Sequence, residues 1–351
     1  MAVIGCGHLG TIHARLLAGR DDVELVAVVD PLPESRDRVA AAHGCASVAE
    51  PRDLIGRVDA AVVAAPTGLH AAVALPLLEA GIDLMVEKPL AATVEDARAI
   101  MIAARRFGRI VTVGHVERFN PAWRSAATRA GEVSYVEARR LTPFTFRSLD
   151  VGVVYDLMIH DIDLVLSLDP GRLEQIEARG LVAAGGHEDA VRARLTFASG
   201  LVADLTASRI SPRAERTVSM WAAGGVVTVD LTAKSVEVIA PSVAVRTGTF
   251  HAAAVPPAER QAMKDRFFAD ILPLETVTVP DANAIAAEHQ DLVEAVRGVA
   301  PPLVPVTAGA AAVEVAARVL EALETTRLGG GRPAGRSRTA TIPLFPRRKT
   351  G

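Results

Sequence analysis

The chain has 351 residues, 50% of them hydrophobic and 23% charged, with a formal net charge of −3. That length suits two domains, each able to bury its own core. The slight acidity excludes the basic excess of a general nucleic-acid binder. Two cysteines, Cys6 and Cys45, are too few for a disulfide framework. With no signal-peptide pattern and no long apolar run, the chain is expected to be soluble and cytoplasmic, with no membrane span.

The apolar run Ala2-Val3-Ile4 meets Gly5-x-Gly7-x-x-Gly10, and a helical pattern with Leu9, Ile12, Leu16 and Leu17 follows at once. Strand, tight turn and helix, in that order, form the context in which a glycine-rich loop binds a dinucleotide. Gly5 permits the turn, Gly7 lets a pyrophosphate approach the backbone, and Gly10 lets helix and strand pack closely. The free N–H groups around His8, Leu9 and Gly10 then face the phosphates. A second strand, residues 23–29, ends in Asp30, whose carboxylate can hold the ribose hydroxyls and repels a 2′-phosphate. The cofactor is therefore expected to be NAD rather than NADP.

Residues 31–43 read as a helix beginning near Pro33. Residues 59–65 form a nearly continuous apolar run that fits a buried parallel strand. It ends at Pro66-Thr67-Gly68-Leu69-His70, which leads into an apolar helix. Residues 83–86 form the next strand, ending in Glu87-Lys88-Pro89; a helix over 94–107 precedes a strand over 109–114. Such alternation means a doubly wound parallel sheet, with ligands beyond the carboxyl ends of the strands. The loops carrying Pro66-Thr67, Lys88 and His115 to Pro121 therefore share one rim with the glycine turn. An ammonium at Lys88 can polarise a hydroxyl or carbonyl oxygen there, although a surface lysine paired to Glu87 fits the spacing too.

Taken together, the glycine turn, Asp30, Ala65-Pro66-Thr67-x-x-His70 and Glu87-Lys88-Pro89 resemble the Gfo/Idh/MocA family of sugar and inositol dehydrogenases. The resemblance implies an α/β Rossmann domain at 1–119 and an α+β domain at 120–328 for substrate binding and oligomerisation. That second domain would carry a large open mixed or antiparallel sheet. Pro66, Thr67, His70, Glu87 and Lys88 join the glycine-loop residues and Asp30 as candidate cofactor contacts. A homodimer or homotetramer is implied as well.

The second half fits that outline. Residues 132–141 alternate like a strand and 152–168 read as one helix. Strands follow at 173–182, 190–197, 201–209, 216–222, 226–231 and 236–239, with Ser199-Gly200 and Gly224-Gly225 as hairpin turns. On the helix, Asp156, His160 and Asp163 are spaced to share one face, so a carboxylate beside the imidazole would orient it and favour its protonated form. The spacing alone favours a carboxylate with a partly exposed histidine, and it supplies no third and fourth ligands for a metal. Metal is therefore expected to be absent. The family uses the lysine of its Glu-Lys-Pro motif with an Asp-x-x-x-His helix, which implies Lys88, Asp156 and His160 as the catalytic group.

His115, Glu117, Arg118 and Asn120, together with Ala207-Ser208-Arg209, look like the sub-family that oxidises UDP-N-acetylglucosamine at C3. The resemblance implies a nucleotide-sugar substrate, a 3-keto product and a PLP aminotransferase as functional partner. It also makes Arg118 and Arg209 candidate partners of the diphosphate. Another sugar or polyol, such as inositol or UDP-N-acetylglucosaminuronate, or an NAD-assisted glycosidase, remains an alternative.

Residues 283–299 read as an amphipathic helix with its acidic and histidine residues outward. Residues 307–326 read as an Ala-rich helix capped by Thr307, and the family resemblance implies that this last helix packs back on the first domain. Residues 329–351 form a basic Gly- and Pro-rich tail, expected to be flexible, in which 340–345 could add an edge strand.

Overall fold

The computed structural model describes residues 1–328 apart from 147, 150 and 185; the expected tail and its edge strand at 340–345 lie outside the described residues. The first half alternates strands β1 (Ala2–Ile4), β2 (Ala27–Val29), β3 (Ala46–Val48), β4 (Ala60–Val63), β5 (Asp83–Glu87) and β6 (Val111–Gly114) with helices. The helices are α1 (His8–Ala18), α2 (Pro33–His43), α3 (His70–Glu79) and α4 (Val94–Phe107). All six strands run parallel in the order β3-β2-β1-β4-β5-β6. Every residue of β1, β2, β4, β5 and β6 is buried, because helices cover both faces of a parallel sheet. The strand order reverses between β1 and β4, which opens a crevice at their carboxyl ends directly above the glycine turn.

α5 (Pro121–Ala130) leads into the second half. β7 (Val133–Leu141), α6 (Ile159–Leu166), β8 (Leu173–Val182), β9 (Ala190–Phe197), β10 (Val202–Ser208), β11 (Glu215–Ala222), β12 (Gly225–Asp230) and β13 (Ser235–Ile239) follow. Short helices α7 (Val243–Arg246), α8 (Arg260–Asp265) and α9 (Phe267–Asp270) then precede β14 (Leu274–Val277), α10 (Ala284–Val296), α11 (Val306–Ala322) and β15 (Leu323–Arg327). Nine strands form one mixed sheet, β14-β13-β12-β11-β7-β10-β9-β8-β15. Its pairs are antiparallel except β7 with β10 and β8 with β15.

Inward and outward residues alternate along these strands: Val191, Ala193, Leu195 and Phe197 of β9 are buried, while Arg192 and Arg194 face out. α5, α6 and α11 cover the inner face. The fold is thus a doubly wound parallel sheet joined to a large mixed sheet.

Four local expectations change. β3, β14 and β15 were not anticipated, being short or partly polar. The Ala-rich helix starts at Val306 after an N-cap at Pro305, without a side-chain cap from Thr307, and its expected last turn is instead β15 against β8. Within the stretch read as one helix over 152–168, Val154–Met158 form a wide π turn before α6 begins.

α11 joins the two halves, packing on α4 and β6 as well as on α6 and β8. It lies close because Gly309 has no side chain; a Cβ there would meet Val113 Cγ2 at 2.5 Å. Gly309→Val should therefore destabilise the chain by about 1–3 kcal/mol through overpacking, read as a melting temperature several degrees lower. An unchanged melting temperature would show that the seam is looser than this.

Candidate active site

The rim begins at the glycine turn. Gly5 has φ +99°, and a Cβ there would lie 2.5 Å from the Ala64 carbonyl oxygen. A Cβ on Gly10 would overlap the Gly5 carbonyl oxygen, so α1 can approach β1 only with glycine at that position. Nothing lies within 4 Å of the Cβ position of Gly7, which caps α1 without any side-chain hydrogen bond. Open space over unsatisfied N–H groups at His8 and Leu9 is what a pyrophosphate needs, so these residues fit NAD. Asp30, at the end of β2, is fixed by the amides of Cys6 (2.8 Å) and Leu32 (2.9 Å). Pro66 and Thr67 open onto the rim beyond β4.

His70 and Glu87, expected to contact the cofactor, are both buried and bonded within the protein. The His70 ring is buried, with Nε2 2.9 Å from the Ala65 carbonyl and Nδ1 3.0 Å from that of Pro89. It staples two rim loops together, and burial pushes its imidazole below the ordinary value. Glu87 Oε1 meets His13, and Oε2 accepts the Lys88 amide at 3.1 Å.

The Lys88 side chain crosses to the other half. Its Nζ donates to the Asp156 main-chain oxygen at 2.7 Å and stands 3.5 Å from Asp156 Oδ1. Burial lowers the ammonium from its usual range, opposed by the charges of Asp156 and then Glu87. His160 sits on the adjoining α6, with Nδ1 buried and unpartnered. Burial pushes its imidazole well below the usual value, and Lys88, Arg140 and His115 add to that. The expected Asp156–His160 pair is thus corrected: the π turn breaks the regular helical register and Asp156 is committed to Lys88. His160 is neutral rather than held protonated, and a neutral imidazole can accept a proton.

Of the residues expected to contact substrate, only His115 lies against this group. Its ring centroid is 6.4 Å from that of His160, edge to face, and both nitrogens are buried without partners. Burial lowers its imidazole too. Glu117 pairs instead with Arg140 (2.8 Å), which also grips Asp161 with two nitrogens. Asn120 donates to Glu117 and to the Leu231 carbonyl, and its Oδ1 caps α5. Arg118 reaches Asp163 (3.5 Å) and the Leu303 carbonyl. Arg209 is buried on Asp189 (2.7 Å) and the carbonyls of Ser148 and Val151. These four side chains brace the loops around the site. Among the described residues, no group of three or more His, Cys, Asp or Glu side chains could hold a metal ion.

Residues 1–115 match the model of the oxidoreductase family with an NAD-binding Rossmann fold, and residues 99–228 match the GFO/IDH/MocA C-terminal domain. The chain is 31% identical over 323 residues to UDP-N-acetylglucosamine 3-dehydrogenase of Acidithiobacillus ferrooxidans, covering 92% of this chain and 96% of that one. The chain belongs to the Gfo/Idh/MocA family. A crystal form of that relative superposes with a TM-score of 0.79 at 30% identity, covering 92% of this chain and 96% of that one. The chain is also 30% identical to scyllo-inositol 2-dehydrogenase (NAD(+)) of Bacillus subtilis over 230 residues, 60% of this chain and 67% of that protein. It is accordingly an NAD-dependent dehydrogenase of hydroxyl groups.

Sequence reasoning missed the polar residues behind the site. α10 does not turn its acidic and histidine residues outward: Glu288 and His289 are 3% and 0% exposed. They fall on the helix's own apolar stripe, with Ile285, Leu292, Val293 and Val296, so the period-3.6 pattern carried the signal. His13 likewise shares the buried face of α1 with Gly10, Ala14 and Leu17.

Glu288 has neither carboxyl oxygen partnered, and burial holds its acid well above the usual range, with repulsion from Glu87 adding to it. The folded state therefore keeps a proton that the unfolded chain releases near pH 4.5. Stability falls as pH rises from there towards the raised folded value. Glu288→Gln should remove this loss, so its melting temperature should exceed the wild type's by more at about pH 8 than at about pH 5. A pH-independent difference would place Glu288 in a solvated setting.

Proposed function

We propose that the chain oxidises the C3 hydroxyl of UDP-N-acetylglucosamine to a 3-keto sugar. The observation that carries this reading is the Lys88 ammonium crossing to Asp156 on the turn that runs into His160, in a chain matching a 3-dehydrogenase of that sugar along nearly its whole length. His160, neutral and beside the ammonium, takes the hydroxyl proton. Lys88 donates to the oxygen as it becomes an alkoxide, and its charge is worth most there because the site is shielded from water. Asp156 holds the ammonium by its carbonyl and carboxylate. Bound NAD supplies the hydride acceptor. The 3-keto product is the kind of carbonyl compound that a PLP aminotransferase converts to an amino sugar. We further propose that the working unit is a homo-oligomer.

A second reading, a polyol without a nucleotide, has one observation in its favour. Arg118 and Arg209, expected to hold the diphosphate, are both spent on internal carboxylates and carbonyls. Substrate comparison separates the two: NAD-dependent NADH formation with a 3-keto product from UDP-N-acetylglucosamine, against the same assay with inositols. Turnover of inositol alone would replace the first reading with the second.

Lys88→Ala and His160→Ala should each lower kcat on the order of 10²- to 10⁴-fold. Wild-type turnover in both would remove the site assignment. Because the His160 imidazole is pushed down, it stays neutral and competent through about pH 6.5, and the acid limb of kcat/KM should lie below that value. An acid limb above it would contradict a buried, neutral base.

A further inference from the structure

We propose that Glu87, His13 and His289 form a buried positioning relay that holds Lys88 from behind and ties it to the helix beginning at the glycine turn. The inference rests on the catalytic reading of Lys88 given above.

Three distances define the relay. His13 Nε2 is 2.9 Å from Glu87 Oε1, His13 Nδ1 is 2.8 Å from His289 Nε2, and Glu87 Oε2 accepts the Lys88 amide at 3.1 Å. Both imidazoles are fully buried, their centroids 5.0 Å apart. A carboxylate only accepts, so His13 Nε2 donates to Glu87, and His13 Nδ1 is left to share one proton with His289. The chain of groups starts on α10, passes through α1 three residues beyond Gly10, and ends on the backbone of Lys88. Room for the carboxylate comes from Gly114 on β6, where a Cβ would stand 2.9 Å from Glu87 Oε2.

Stability alone does not account for these groups. Well-packed apolar residues commonly replace a buried polar set without loss of stability. What a carboxylate adds here is a fixed acceptor under the peptide that leads into Lys88, and a negative charge near its ammonium. Burial pushes the His289 imidazole down to about 3, so His289 adds no charge of its own. Facing the Lys88 ammonium from the surrounding elements are Asp156, Glu87 and Arg140, with the rings of His160 and His115 beside it. Of the two carboxylates, Asp156 holds the ammonium and Glu87 holds the main chain behind it.

The test uses Glu87→Gln, His13→Asn and His289→Phe beside Lys88→Ala, with two readouts. In turnover of UDP-N-acetylglucosamine, Glu87→Gln and His13→Asn should lower kcat on the order of 10- to 100-fold with little change in the sugar KM, because misplacing Lys88 acts on the transition state. In cofactor-free protein, acetic anhydride labelling of Lys88, measured against exposed Lys264, should begin at lower pH in Glu87→Gln. Loss of that carboxylate removes a charge that keeps the ammonium protonated. His13→Asn should shift the labelling in the same direction by less. Should either variant fail to fold, His289→Phe carries the test, with a several-fold fall in kcat and the same direction of labelling shift. Wild-type kcat, or a fall in kcat with Lys88 labelled as in wild type, would overturn the relay. Labelling needs neither NAD nor sugar, so it is independent of the substrate reading. An inactive Lys88→Ala beside fully active Glu87 and His13 variants would leave the catalytic reading standing and remove the relay. An active Lys88→Ala would instead remove the catalytic reading.

Discussion

The Lys88 ammonium reaching from one half of the molecule to the Asp156 carbonyl of the other is the contact on which the site depends. A regular helix commits each carbonyl to the N–H four residues on; where the ladder widens into a π turn, carbonyls open to other donors. Lys88 takes one. Strand β5 places it at the rim, the glycine turn sets the cofactor side of the same rim, and α6 continues directly from the π turn to His160. Without the crossing, the parallel sheet would bind a dinucleotide with no reacting group above it.

Burial then decides the protonation states. Two imidazoles and an ammonium converge in a region largely closed to water, and each is pushed towards its neutral form. Acids are placed to moderate this selectively. Asp156 and Glu87 favour the charged form of Lys88, while Asp161 and Glu117 are absorbed by Arg140, whose guanidinium they keep firmly protonated. Arg140 in turn helps to keep His160 neutral. The outcome is an asymmetric pair, a charged donor beside an uncharged acceptor, suited to removing a hydroxyl proton while stabilising the oxygen.

The parallel half was readable in the sequence because its signals are local. Gly5 and Gly10 are demanded by backbone contacts, and continuous apolar strands admit one kind of sheet. β9 runs over the expected residues because alternation over eight positions is hard to mistake. The site was readable only in its residue types. Pairing Asp156 with His160 requires an unbroken 3.6-residue period, and nothing in the sequence reveals the π turn. Arg118, Arg209, Glu117 and Asn120 have side chains suited to a sugar nucleotide, yet the fold spends them on one another's neighbourhoods, and their partners lie 20 to 185 residues away or fall on adjoining loops. The buried stripe of α10 is visible as periodicity, although the polarity of Glu288 and His289 argues for an outward face.

The most direct measurement is a crystal structure of the chain with NAD and UDP-N-acetylglucosamine bound together. The sugar's C3 hydroxyl should lie within hydrogen-bond reach, about 3 Å, of both Lys88 Nζ and a nitrogen of His160, with Asp156 still on the ammonium. A sugar that presents another carbon to these two groups, or leaves its hydroxyl out of reach of either, would contradict that placement.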